Sequence, residues 1–447
     1  MRKKIPNAEN MHVHRLYQIG IAIKKSGALF SRIGRSLLYK KNWRILYHFL
    51  NEYTTHIDCE AEKSAKTVYS ALKMLVAARG KSNEKSIVLF VTHDLDRNGA
   101  PYALLQMVCN MREFNDIQPV VLAPYDGVLR EEFENSGCFV VVSPKIFHAQ
   151  EDVLLRSLVS LCDIVIVNTS ACAQFVALYG NICKECFWWV HETLEYFQTR
   201  ILAGISPADI EKIKTSPVQM WCGSMCCSPL AKFFDKEVKE LLYGLPDMLV
   251  SFDSSFRSEK VTFLLAGTFE ERKGQLVLVD AIGTLPSLTR AKAKFYLIGS
   301  TMIAKEGYER IVHERAKEFS EIEILPNMPV DNLMEYYKKS DVLVSASLDD
   351  PMPIVVTHGF MFGMPCIITD AIGQAGIVQS ADGVDIVPAG DSQKLADALA
   401  SFIEDTEKIS RYAEKSRKLF DRNFSLPSFN AQLQKYLALP ESAKQEK

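Results

Sequence analysis

Asp350 and His358 stand eight positions apart, between an apolar run at 342–346 and the sequence Gly363-Met364-Pro365. The stretch Asp349-Asp350-Pro351-Met352-Pro353-Ile354 ends the apolar run and sets prolines where a helix would begin. At a helix start the backbone N–H groups are unpaired and the dipole is positive, so this turn can face an anion. Asp350 at its mouth offers a carboxylate that accepts hydrogen bonds from hydroxyls, and a neutral His358 offers one acceptor and one donor. Acceptors for hydroxyls beside donors for phosphate oxygens suit a ligand carrying both groups. A nucleotide sugar is such a ligand.

Three further strand-to-helix turns carry chemistry. In Gly267-Thr268-Phe269-Glu270-Glu271-Arg272-Lys273-Gly274 two adjacent cations oppose the positive end of the following helix unless an anion joins them, which favours a phosphate; a solvated charge pair is the alternative. In Thr92-His93-Asp94-Leu95-Asp96-Arg97-Asn98-Gly99-Ala100-Pro101, glycine followed by proline lets the backbone approach a ligand and fixes the helix start. Asp94 and Asp96 have the spacing of a metal-binding pair, but at the first strand of a doubly wound pattern they shape the loop, and no metal is assigned. His191-Glu192 follows the apolar Trp188-Trp189-Val190, so His191 is expected at the carboxyl edge of a sheet, facing a cleft. Alternatives stay open at three positions: His191 as a histidine capping the next helix through Thr193, Asp350 as a helix N-cap, and His358 as a half-buried helix residue with no ligand.

The elements that must hold these turns are legible as short apolar runs alternating with helical patterns. Runs at 87–91, 120–123, 139–142, 164–167, 187–190 and 218–222 form one series, and runs at 261–266, 295–298, 322–325, 342–346, 366–369 and 385–387 a second. Such alternation predicts parallel, doubly wound sheets in an α/β chain, two Rossmann-like domains facing a cleft. The predicted division is a basic helical extension at 1–84, a first domain at 85–244, a linker at 245–260, a second domain at 261–425 and a C-terminal helix and tail at 426–447. A chain of 447 residues is too long for one ordinary core, and 48% hydrophobic with 24% charged residues is an ordinary globular composition.

Charge is uneven. Residues 1–50 hold eleven Lys/Arg against Glu9 alone, a formal +10, leaving −12 for the rest of a chain whose total is −2. Between 28 and 38, Phe30, Ile33 and Leu37 share a helical face that Arg32 and Arg35 avoid. This segment suits either an anionic membrane surface or packing on the body with its basic face in water. No apolar run reaches the length of a spanning helix and no signal peptide is evident, so a cytoplasmic chain, peripheral at most, is expected. The eleven cysteines sit mostly in apolar stretches, as small core residues of a reducing compartment do. Cys183, Cys186, Cys222, Cys226 and Cys227 have loose zinc-site spacing, but both groups flank apparent strands.

The segment 343–387 resembles the second half of the GT-B glycosyltransferases, in particular glycosyltransferase family four, the group one transferases. Members carry an acidic residue, seven residues and a glutamate, with Gly and Pro five and seven positions beyond. Here those positions are Asp350, His358, Gly363 and Pro365. The Asn98-Gly99 turn resembles the family's glycine-rich first loop, and Lys273 matches one of a basic pair whose other position holds Thr268, with Arg272 adjacent. Across roughly 85–425 the resemblance implies a metal-independent, retaining transferase with no cofactor beyond its nucleotide-sugar donor. The acceptor would be a glycan or lipid-linked hydroxyl in bacterial surface polysaccharide or lipid-linked glycan synthesis, with no nucleic-acid partner. It implies His191, Asp350, Arg272 and Lys273 as catalytic residues. The donor would be held by Asn98, Gly99, Gly267, Lys273, Asp350, Pro351, Met352, Pro353, Ile354 and His358. The departures at 350 and 358 leave a second expectation, a non-catalytic relative serving as a binding or scaffold subunit.

Overall fold

The computed structural model describes residues 63–79, 85–201, 204–249, 259–300, 306–379 and 382–437, so the basic segment at 1–50 lies outside the described residues. Each apolar run became a strand; those in the middle of each sheet, such as 87–91, 164–167 and 342–345, are buried on both faces, while those at the edges, such as 322–325, are only partly buried. The first sheet contains β1 (Ser86–Val91), β2 (Ile117–Ala123), β3 (Phe139–Val142), β4 (Ile164–Asn168), β5 (Glu185–Val190), β6 (Gln219–Cys222) and β7 (Val238–Glu240). Its order is β3-β2-β1-β4-β5-β6-β7, and every pairing is parallel. The sequence reading missed β7, whose Val-Lys-Glu is short, charged and half-exposed, as an edge strand tolerates.

The second sheet contains β8 (Val261–Ala266), β9 (Ala293–Ile298), β10 (Ile322–Leu325), β11 (Val342–Ser345), β12 (Cys366–Thr369) and β13 (Val384–Val387). Its order, β10-β9-β8-β11-β12-β13, repeats the plan of the first six strands, again all parallel. In both sheets the strand order reverses beside the first strand, between β1 and β4 and between β8 and β11. Open parallel sheets bind ligands at that reversal, beyond the carboxyl ends of the strands. This is the α/β, two-sheet GT-B layout.

The two units share one core. Tyr243 and Leu245 of the chain leaving the first unit, Phe360 of the second, and Phe424 and Phe429 near the chain's end are all buried in one apolar cluster. The helix Leu426–Tyr436, capped by Ser425 and opened by a proline, returns to the first unit. There Phe429 stacks on Trp189 at 5.9 Å and Tyr436 on Trp221 at 5.8 Å, while the Tyr436 hydroxyl donates to the Glu240 carbonyl at 2.9 Å. Full burial of an aromatic ring contributes about 1.5–3 kcal/mol, so these contacts hold the returning helix firmly. Beside them the Leu245 N–H donates to the Phe424 carbonyl at 2.8 Å, and Arg417 pairs with Asp247.

Candidate active site

Two loops meet at the carboxyl edge of the second sheet, one after β8 and one after β11. Gly274, with φ of 68°, lies so close to the second loop that a Cβ there would sit 1.9 Å from the Ala346 carbonyl oxygen, so only glycine fits. The Leu348 N–H donates to the Arg272 carbonyl at 2.7 Å, locking the loops together. Across this joint Lys273 Nζ forms an ion pair with Asp350 Oδ2. Arg272 lies 3.6 Å from the same oxygen, pairs with Glu270 at 2.8 Å and donates to the Asp349 carbonyl at 3.3 Å. The two cations that the sequence set at a helix start, favouring an anion there with a solvated charge pair as the alternative, are offset within the protein by Asp350 and Glu270.

Asp350 is not the N-cap that sequence also allowed. It is 6% exposed and forms a bridge with Ile372, its N–H donating to the Ala371 carbonyl at 3.2 Å and its carbonyl accepting from the Gly373 N–H at 3.0 Å. The helix Ile354–Met361 is instead capped by Pro353, which has no side-chain oxygen to offer its first N–H groups. Its helix carries His358, only 7% exposed, with neither ring nitrogen bonded to the protein. The ring stands edge-on to Tyr337 at 5.6 Å, and burial pushes its pKa down to about 4. Gly267 and Thr268 lie in the loop opposite, where the Thr268 carbonyl accepts from Gln275 at 2.9 Å.

The first unit brings its own carboxyl edge against these loops. A Cβ on Gly99 would touch Ile354 at 3.7 Å, and one on Gly223 would meet Met352 at 3.1 Å. Thr193, which caps a short helix, also donates to Asp349 Oδ2 at 3.2 Å, while burial raises the Asp349 pKa. Thus Asn98-Gly99 and Pro351 to Ile354 face one another across the cleft.

His191 directly follows β5, half-buried, with Nε2 2.7 Å from Asn168 Oδ1 and its ring 4.3 Å from that of Trp189. Burial, with His93 adding to it, lowers its pKa to about 3. It does not cap the following helix; Thr193 does. Glu192 accepts the N–H groups of Ser170 at 2.8 Å and His191 at 3.1 Å, and burial raises its pKa. Asp94 accepts from Asn98 at 3.3 Å and the Asp96 N–H at 3.1 Å, and lies 3.1 Å from His93. Burial pushes its carboxyl up, but His93 and these hydrogen bonds outweigh that and leave its pKa lowered.

Thr169, at the end of β4, has φ of 72° and ψ of 158°, a region almost reserved for glycine. Its N–H donates to the Trp189 carbonyl at 2.8 Å and its carbonyl accepts from the Trp188 indole at 2.7 Å, which hold the strained backbone in place. Cys222 and Cys227 approach to 2.9 Å between sulfurs, and among the described residues no three His, Cys, Asp or Glu converge as metal ligands.

The model for glycosyl transferases group 1 matches residues 250–419, and that for glycosyl-transferase family 4 matches residues 83–216. The chain belongs to the family-four GT-B glycosyltransferases. No curated protein matches it. HepE from Anabaena, solved with UDP and glucose, is 16% identical to this glycosyltransferase, covers 78% of it over 99% of its own length and superposes with a TM-score of 0.65. The corresponding values for a glycosyltransferase from Rickettsia africae are 15%, 79%, 98% and 0.61. Sucrose-phosphate synthase from Thermosynechococcus elongatus gives 13%, 79%, 98% and 0.61. These likenesses concern the fold.

Sequence reading of this glycosyltransferase brought forward Lys273, Arg272, Asp350 and His191, and the structure sets the first three in one ionic cluster with His191 on the opposing unit. It passed over Asn168 and Thr169, and named Thr193 only as the link through which His191 would cap the next helix, a cap that Thr193 itself makes. The types of Asn168 and Thr169 carried no signal, since Asn and Thr after a strand are common turn residues.

Proposed function

We propose that this chain transfers a sugar from a uridine or guanosine diphosphate sugar to a hydroxyl acceptor, with retention at the anomeric carbon. The observation that carries the reading is the Lys273–Asp350 pair at the sheet reversal, because it joins the cationic loop to the acidic loop where a diphosphate and its sugar would lie. On donor binding, Lys273 and Arg272 turn toward the diphosphate, and Asp350 is released to accept sugar hydroxyls. As the sugar–phosphate bond breaks, charge grows on the departing oxygen; fixed cations favour that state over the ground state. The departing phosphate can take the acceptor hydroxyl's proton, so no protein nucleophile is required. Neither a metal nor a cofactor enters this scheme. His358 would meet the ribose, each nitrogen gaining a partner it lacks within the protein.

HepE, whose fold this chain shares, was solved with UDP-glucose, which supports beginning with uridine donors. A glycan or lipid-linked acceptor at the cytoplasmic membrane face, drawn by the basic residues of 1–50, completes the proposal, as in synthesis of bacterial surface polysaccharide. The second reading, a non-catalytic relative, is favoured by the enclosed His358 nitrogens. A panel of nucleotide sugars scored by thermal shift, then assayed for donor hydrolysis and transfer, separates the two. Lys273→Ala is expected to weaken UDP binding about tenfold or more, as loss of a charge-assisted contact does. An unchanged titration would remove Lys273 from the diphosphate site.

A further inference from the structure

The position of Asn168 fixes more than the end of a strand. Its side chain is fully buried between the helix Gly99–Phe114 and the turn after β5. The amide Nδ2 donates to the Ala100 carbonyl at 3.0 Å, an acceptor that cannot donate in return. That contact settles which end of the amide is nitrogen, and Oδ1 must therefore be the atom 2.7 Å from His191 Nε2. An amide oxygen only accepts, so Nε2 must carry the proton. In a neutral imidazole Nδ1 is then left with its lone pair free, and among the described residues nothing in the protein bonds it.

We infer that Asn168 is a positioning residue that holds His191 in the Nε2–H tautomer, so that Nδ1 accepts a hydrogen bond from a sugar hydroxyl in the cleft. The hydroxyl belongs either to the donor sugar or to the acceptor; both offer the same chemistry. The tautomer itself stands on the hydrogen bonds alone, while its use toward a sugar rests on the transferase reading. Groups facing the ring agree with a neutral acceptor. Trp189 covers one side, His93 is a second imidazole nearby, and the Glu192 carboxylate is engaged by two backbone N–H groups, not by the ring. The strained backbone at Thr169, directly after Asn168, is held by Trp188 and Trp189, so the amide and the imidazole are fixed by the same two strands.

The test is nitrogen NMR of the full chain labelled on histidine, with the His191 signal identified by its loss in His191→Gln. The wild type should show a protonated Nε2 and a pyridine-like Nδ1 at neutral pH; a protonated Nδ1 would overturn the assignment without any activity being measured. Asn168→Asp keeps an acceptor for Nε2–H, so the tautomer should persist while the new carboxylate raises the pH at which His191 titrates. Asn168→Leu removes the acceptor, so the two tautomers should mix and kcat/KM for transfer should fall roughly tenfold, the scale of one lost hydrogen bond, with UDP affinity unchanged. A folded Leu variant with an unmixed Nε2–H tautomer and full transfer would overturn the positioning role. Equal losses in donor hydrolysis and transfer would assign the hydroxyl to the donor, and a loss in transfer alone to the acceptor. The expected tautomer in a chain that turns over no sugar nucleotide would leave Asn168's role standing and remove the transferase reading.

Discussion

His358 makes the stability of the second unit depend on mild acid. Its pKa in the folded chain is about 4 because the ring is enclosed, whereas the unfolded chain titrates near the ordinary 6.5. Between those values the unfolded state binds a proton that the folded state refuses, so stability falls as pH falls through that window. The full gap corresponds to about 3 kcal/mol, and between pH 7 and pH 5 roughly 2 kcal/mol of it is lost. His358→Leu removes the titrating ring and both unpartnered nitrogens while leaving an apolar contact for Tyr337. Urea unfolding followed by circular dichroism at pH 7 and pH 5 should show the wild type losing about 2 kcal/mol more than the variant, since every other titrating group cancels in the comparison. Parallel losses in the two proteins would mean that His358 titrates alike folded and unfolded, and the enclosed, unpartnered ring would be wrong.

If the same ring meets the ribose, His358→Glu should keep or strengthen UDP binding and His358→Ala should weaken it by about 1–3 kcal/mol in a calorimetric titration; equal affinities for all three would take position 358 out of the nucleotide site. Gly274→Ala should destabilise the second unit by about 1–3 kcal/mol, because the residue needs a left-handed backbone and its Cβ would strike the Ala346 carbonyl; an unchanged urea midpoint would contradict the loop contact. Turnover should survive a chelator, since Asp94 is engaged by His93, Asn98 and the Asp96 N–H while two cations stand ready for the leaving group; loss of activity with EDTA and recovery with manganese would reverse this.

Much of the fold was legible because parallel strands buried on both faces read as unbroken apolar runs, as Val88 to Val91 and Val342 to Val344 do. The edge strand β7 escaped because one face of Val238-Lys239-Glu240 meets water. The cationic and acidic loops were legible from glycine and proline placed where strands turn into helices. Their pairing was not: Lys273 and Asp350 lie 77 positions apart, and only the parallel neighbours β8 and β11 bring them together. The same holds for Asn168 and His191, whose contact depends on the pairing of β4 with β5. Sequence spacing reports what one turn or helix can do, whereas a site at a sheet reversal is assembled from turns that the chain visits far apart.

The bridge between Leu245 and Ser425 bears on how the cleft opens. The chain crosses from the first unit to the second near Leu245 and returns near Ser425, and the crossings lie side by side, joined by a hydrogen bond. A hinge made of one strand can twist as freely as it bends. A hinge made of two bonded strands resists twisting, because rotation about its own length would shear the bond between them. A rocking of one unit over the other leaves that bond intact, and such a motion would return Asp349 to Thr193 and Gly99 to Ile354 in the same register.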